Sequence, residues 1–392
     1  MKKVVIDFGI ESINIIKIEQ RGKEINVISF DTINASKYLN DSGTYDVKQV
    51  ATDIRAALGK DAGLDIDIIL PDYMSKSQYI NSEKLDKVKN ADVKDQFNGK
   101  MNDKQVSFVG DNGTDSISQI IIFNKQILKS FIKEMYKAKL NVVSAISRYS
   151  AYQYTMPLFQ DSGDTNFKNH LFIQVGTHNV SCIVMMGNLP VYMKESGFNM
   201  YELYQNMKEQ NPNMRYCEFI QAFCNSKPYN GFDVRNPVAY VSEASTTEEA
   251  EYDRRMSEMF NDDTIYEDYD NGKNSESDEI KLDKSISNRV SQEIQTFFEI
   301  VCQDAKEVID YINDQYRTQD IEVCTNSKVA CQFINNQLSS IYKINDKNDF
   351  SDSISIGDTT IKMSNINNAD ANIIACLGNV IAGIKKGADF YA

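Results

Sequence analysis

The chain has 392 residues, 42% hydrophobic and 25% charged, with a net charge of −14 at neutral pH. That length exceeds one ordinary core and points to two or three domains, while the acidic balance argues against a nucleic-acid partner, which needs a basic face to neutralise phosphate. Two histidines, His170 and His178, and seven cysteines without a CxxC pair argue against a histidine metal site, a disulfide framework or a Ser/His/Asp triad.

The N-terminus, MKKVVIDFGI, turns acidic at Asp7 before the apolar region of a secretory signal can build, and no apolar run reaches the roughly 18 to 20 residues of a membrane span. A cytoplasmic chain with reduced thiols is expected. Residues 3–8 (KVVIDF), 13–19 (INIIKIE) and 24–30 (EINVISF) predict a three-stranded meander, with a turn at Gly9 to Ser12 and Gly22 ahead of the third strand. In residues 47–60, Val50, Ile54 and Leu58 recur every fourth position and stop at Gly59, which predicts an amphipathic helix with a glycine end. A strand at 66–70 (IDIIL), closed by Pro71, completes a compact α/β lobe. Residues 72–104 read as polar and irregular. They precede a strand at 117–123 (ISQIIIF), a helix at 124–139 with Ile127, Leu128, Phe131, Ile132 and Met135 on one face, and a strand at 140–146. Residues of about 72–145 thus form an inserted α+β subdomain.

The opening pattern then returns. Residues 170–195 (HLFIQVGTHNVSCIVMMGNLPVYMKE) read as strand, glycine turn, strand, Gly187-Asn188 turn, strand, which implies internal duplication. Helices are predicted at 199–209 and 215–225. Residues 233–284 read as a solvated acidic insertion: between 241 and 280 fourteen Asp/Glu face three Lys/Arg, a net of −11. Docking of a basic partner by steering is the functional reading of such a run, and a solvated, disordered loop the commoner one. A long helix at 285–314, a strand at 321–324, a helix at 328–338 and an apolar helix at 371–384 complete the chain. The last is short and lacks a basic polar face, so it reads as core rather than membrane anchor.

Three turns carry chemistry. In Asp7-Phe8-Gly9-Ile10-Glu11-Ser12 a strand ends in a carboxylate, a glycine lets backbone approach a ligand and a hydroxyl follows. Amides of such a hairpin cradle phosphate oxygens, and the Asp holds hydrated Mg²⁺. Gln174-Val175-Gly176-Thr177-His178-Asn179 stands at the equivalent place in the repeat, and Thr325-Asn326-Ser327 joins a strand to a helix with the small residues that closeness to an adenosine requires. Either hairpin alone is an ordinary turn; the matched pair gives the pattern its specificity. His178 reads as an exposed turn histidine.

The motifs VVIDFGIESINIIKIE, FIQVGTHNVSCIVMMGNLPVYMKE and IEVCTNSKVACQFINNQL resemble the two phosphate motifs and the adenosine motif of the actin/Hsp70/sugar-kinase superfamily. With DVKQVATDIRAALGKDAGLDIDIILPDYMS, IIIFNKQILKSFIKEMYKAKLNVVSAIS, RVSQEIQTFFEIV and ANIIACLGNVIAGI, the chain is similar to the type IV pilus assembly PilM family, an FtsA-like branch. The resemblance implies an α/β, actin-like (ribonuclease H-like, duplicated) two-lobed fold. Its first lobe would be 1–158, with the inserted subdomain, and its second 159–392, divided into a 2A part (about 168–198 and 318–392) and a 2B-like part (about 199–317). It implies ATP and Mg²⁺ as cofactors, held by Asp7, Gly9, Ser12, Asn14, Gln174, Gly176, Thr177, Asn179, Thr325, Asn326 and Ser327, with Asp7 reaching the metal through water.

The chain departs from that pattern three times. Asn14 stands where a Lys is usual, Gln174 where the second motif has Asp, and Asn326-Ser327 replace a glycine pair. A Gln neither binds Mg²⁺ water with a full charge nor orients an attacking water as a carboxylate does, so at most weak hydrolysis is expected and no catalytic residue is named. The family's partners imply a cytoplasmic scaffold held at the inner face of the cell membrane. It would grip the cytoplasmic N-terminal tail of an inner-membrane PilN-like protein, in the groove between first lobe and inserted subdomain, and couple it to the pilus motor ATPase or platform protein. A second copy of the chain is a further candidate partner. An ATPase or small-molecule kinase of the same superfamily and an FtsA-like filament protein are the alternatives; the latter calls for a C-terminal amphipathic membrane helix, which GIKKGADFYA does not supply.

Overall fold

The repeated meander is the organising feature of the computed structural model, which describes residues 1–81, 102–111, 116–152, 154–155, 169–186, 189–228, 284–316, 321–344, 353–356, 358–363 and 373–386. Strands β1 (Lys2–Phe8), β2 (Ser12–Arg21) and β3 (Glu24–Asn34) pair antiparallel, and β4 (Asp65–Ile69) and β8 (Asn141–Ile146) extend the sheet in parallel beyond β1. The run Val4 to Phe8 is buried throughout, because VVIDF has no polar alternation and both faces of the strand are covered. The second sheet repeats this plan. Strands β9 (Asn169–Val175), β10 (Val180–Met186) and β11 (Leu189–Glu195) form the meander, and β12 (Ile321–Thr325) and β13 (Lys343–Ile344) add in parallel beyond β9. The orders β3-β2-β1-β4-β8 and β11-β10-β9-β12-β13 correspond strand for strand.

The helices follow local rules. Helix α1 (Val47–Leu58) starts where the Asp46 side chain accepts from the Gln49 N–H at 3.1 Å and ends at Gly59, whose φ of 55° lies in the left-handed region. Helices α2 (Lys125–Lys137), α3 (Arg148–Tyr152), α4 (Met200–Gln210), α5 (Tyr216–Asn225), α6 (Lys284–Tyr316), α7 (Lys328–Leu338) and α8 (Ile374–Lys386) complete the set. One buried cluster joins α1, α2 and α4 to α7 to one face of both sheets. A second joins α3 and α8 to the other face, with Leu377 and Ile381 of α8 fully buried. Both sheets belong to one compact unit spanning Met1–Pro228 and Leu282–Ala392. All seven cysteines are free thiols, four of them buried.

Two expectations need correction. Residues 72–104 are not irregular throughout: β5 (Ser75–Asn81) and β6 (Asn102–Asp111) flank β7 (Ser116–Asn124) in a third, antiparallel sheet. The signal escaped because the inward positions of β5 are Ser75 and Ser77, the latter accepting from Gln119 Nε2 at 2.8 Å, so its alternation is not written in apolar residues. Residues 353–356 and 359–362, grouped with the second lobe by chain order, instead form the antiparallel strands β14 (Ser353–Ile356) and β15 (Thr359–Lys362), whose β15 pairs with β3 in the first sheet. Ile361 seals against the core there, and Lys362 bonds Glu24 at 2.7 Å. The acidic insertion, apart from Lys284, the Gly187-Asn188 turn and the 158/159 lobe boundary lie outside the described residues.

Candidate functional site

The three turns singled out by sequence are brought together at the ends of β1, β9 and β12. Alternation along β1 sends Val4, Ile6 and Phe8 into one core and leaves Asp7 facing α3. There the Arg148 guanidinium pairs with Asp7 Oδ1 and donates from the same nitrogen to the Phe8 carbonyl at 2.7 Å. Both side chains are nearly sealed from water, at 2% and 5% exposure. Burial works to lower the pKa of Arg148, and the Asp7 charge outweighs it, so the guanidinium is held charged. Asn14, the cross-strand partner of Asp7, donates to Asp7 Oδ2 at 3.3 Å and accepts from the Ser12 hydroxyl at 2.8 Å. The Gly9 N–H closes the hairpin onto the Ser12 carbonyl at 3.0 Å, and the Gly9 carbonyl accepts from the Tyr45 hydroxyl.

In the second turn the Gly176 N–H bonds the Asn179 carbonyl at 2.9 Å. The outward N–H groups of His178 and Asn179 both donate to Asp72 Oδ2, at 2.7 Å and 3.3 Å. A Cβ at position 176 would fall on the Asp72 carboxylate, so glycine here admits that side chain. The Asn179 side chain reaches the Tyr149 hydroxyl, and Gln174 Nε2 lies 3.4 Å from Asn179 Oδ1, leaving Gln174 Oε1 buried without a protein partner. His178 is not exposed as expected: its ring lies 4.7 Å from that of Tyr201 and 6.1 Å from that of Tyr73.

The third turn is held to the second by Asn326. Its side chain accepts from the Val175 N–H at 2.9 Å and donates to the Val175 carbonyl at 3.2 Å. Ser327 caps α7 by accepting from the Ala330 N–H at 2.9 Å, and its hydroxyl donates to the Glu11 carboxylate, which also accepts the Val329 N–H at 3.3 Å. Thr325 is buried beneath, 3.4 Å from the Ser327 N–H.

No protein-family model matches the chain, and no curated protein matches it. Among solved structures it is similar over its whole length to a PilM-PilN type IV pilus biogenesis complex: TM-score 0.57, 8% identity, 97% of this chain and 98% of that one. The fold is the actin-like ATPase fold. More remote, at TM-score 0.39 each, are the ethanolamine utilization protein EutJ of Carboxydothermus hydrogenoformans (10% identity, 97% and 89% coverage) and component A of the (R)-2-hydroxyglutaryl-CoA dehydratase of Acidaminococcus fermentans (11% identity, 99% and 99% coverage).

An actin-like ATPase fold implies a magnesium nucleotide between the two hairpins, and the residues of this chain do not fit that group. The carboxylate expected to hold Mg²⁺ through water, Asp7, is neutralised by Arg148. The amides expected to cradle phosphate carry Asp72 instead, and the start of α7 carries Glu11. Asn326, where adenosine would need a small residue, spans to Val175. Among the described residues no group of three or more His, Cys, Asp or Glu side chains is arranged to hold a metal ion.

Arg148, Asp72, Glu11, Tyr45 and Tyr149 are the residues sequence reasoning missed. Arg148 had a readable signal: a lone basic residue in SAISRYSAY, entering a helix directly from a buried strand, needs an anionic partner. Asp72 and Glu11 sit in turns where acids are commonplace, and nothing local marks them.

Proposed function

We propose that the chain is an actin-like scaffold of a type IV pilus or related secretion machine, working without nucleotide turnover. The observation that supports it is the whole-length likeness to a PilM-PilN complex. On this reading the first lobe spans 1–158 and the second 159–392, with β14 and β15 lent to the first sheet. The partner is an inner-membrane PilN-like protein, held by its cytoplasmic N-terminal tail against residues of about 72–145 and the adjoining lobe. The outer face of α2 suits such a tail: Leu128, Ile132 and Tyr136 form an apolar strip beside Lys129, Lys133 and Lys137. The scaffold would sit at the inner face of the membrane through this partner and pass contact to the motor ATPase or platform protein. Among the described residues no helix is long and apolar enough to cross a membrane.

The test is a pull-down from cells with membrane proteins retained, comparing the natural chain with Ile132→Asp. Recovery of a single-pass protein with a short cytoplasmic N-terminal tail, lost with Ile132→Asp, is the expected result. Recovery of soluble metabolic enzymes alone would overturn the scaffold reading and favour the ATPase or kinase alternative.

A further inference from the structure

Three acidic side chains from the half built on the first sheet accept hydrogen bonds from backbone amides of the half built on the second. Asp72 takes the N–H groups of His178 and Asn179, and Glu11 takes that of Val329. Asp41 takes the N–H of Tyr216 at 3.0 Å, while its other oxygen accepts from the Lys208 ammonium at 2.9 Å. All four amides lie in a hairpin turn or the first turn of a helix, where no intrahelical acceptor exists and an anion is favoured.

We propose that Asp72 and Glu11 are the resident anions of the cleft, a substitute carried by the chain for the phosphates an actin-like fold would bind there. Together with Asp41 they clasp the two halves shut without nucleotide. The clasp does not depend on the identity of any partner.

For Asp72, burial and shape support this over surface decoration; Glu11 is half-buried and Asp41 exposed. Asp72 is 8% exposed and follows Pro71 into a short 3-10 turn, Asp72–Met74, which fixes its approach. Position 176 is a glycine whose missing Cβ is the space the Asp72 carboxylate fills, and Gly43, at φ 68°, brings the Asp41 loop against Thr177, His178 and Tyr201. Carboxylate to amide bonds are charge-assisted, about twice as strong as neutral ones. A nucleotide entering this cleft would have to expel Asp72 and Glu11 from their donors and then bear their charge at close range.

Amide hydrogen exchange on the full-length chain tests the clasp. Without nucleotide, the amides of His178, Asn179, Tyr216 and Val329 are expected to be protected, and Mg-ATP at about 5 mM is expected to change none of them. Asp72→Asn should speed exchange at 178 and 179 by about tenfold or more and leave 329 unchanged, with Glu11→Gln giving the converse. Exchange of these amides at open-loop rates in the natural chain, slowing by Mg-ATP, or indifference of 178 and 179 to Asp72→Asn would each overturn the proposal. If a variant does not fold, the two measurements on the natural chain decide it alone.

Discussion

An ion pair sealed from water is held less by its own attraction than by the cost of separating it, and Arg148 with Asp7 is such a pair. Arg148→Met should therefore cost ~3–5 kcal/mol by leaving the Asp7 carboxylate buried without its cation. Asp7→Asn should cost less, because Arg148 keeps the Phe8 carbonyl. The double variant should recover much of the loss, which a double-mutant cycle from urea midpoints measures as a coupling energy. Additive losses would mean that the two residues act separately and that Asp7 is not the partner of Arg148. Asp41 gives a pH signature. Burial works to raise its pKa, but the Tyr216 amide and the Lys208 ammonium win, so its folded value lies below the ordinary one. A depressed folded pKa stabilises above the unfolded value, near 3.9, and that contribution fades as pH falls through the folded value. The stability gap between the natural chain and Asp41→Asn should therefore be full at neutral pH and close at the acid end. A gap independent of pH would remove the electrostatic account.

At the scale of elements, α8 packs on α3 and on β1, β2 and β4 in the second buried cluster. It crosses α3 at Gly378, where a Cβ would collide with the Ala151 backbone carbonyl and lie 2.9 Å from Thr155 Cγ2. Helix propensity and packing predict opposite signs here. Propensity alone would make Gly378→Ala stabilising by about 1 kcal/mol, whereas the collision with backbone should make it destabilising by ~1–3 kcal/mol. Gly383, exposed on the same helix with nothing within 4 Å of its would-be Cβ, is the internal control. Gly383→Ala should stabilise by about 0.5–1 kcal/mol. Melting curves of the pair test the crossing directly, and gains at both positions would show that α3 and α8 do not touch. These elements were legible in unequal measure. Both meanders and α1, α2, α6 and α7 could be read because the meander strands carry short, mainly apolar runs and the helices bury apolar positions at period 3.6. Strand β5 could not, since serines fill its inward positions, and β14 and β15 were not read as strands at all: their residues were only grouped with the second lobe, because chain order does not say which sheet a late segment joins. The three turns of the site were readable as strand ends, two bearing a glycine and the third small polar residues. Their occupants were not: Asp72 meets His178 across 106 residues and Glu11 meets Ser327 across 316, and a single sequence carries no mark of such pairings.

On the scale of the molecule, two halves related by duplication share both buried clusters, so neither has a core of its own to retain when the other opens. The carboxylate contacts across the cleft add to that coupling without any exchangeable ligand. Unfolding should accordingly be a single cooperative transition, unlike a two-lobed protein whose closure depends on what it binds. The sequence has no tryptophan, so one indole placed in each half reports that half alone. Tyr136→Trp on α2 and Tyr311→Trp on α6, both at positions exposed by about half (53% and 48%), suit this purpose. In urea the two probes should share one midpoint and one slope, and Mg-ATP should move neither. Asp72→Asn combined with Glu11→Gln should lower both midpoints together, since the clasp stabilises the joint rather than either half. Separate midpoints for the two probes would mean that each half folds on its own core. A shift of either midpoint with nucleotide would mean that the cleft takes nucleotide despite its carboxylate occupants.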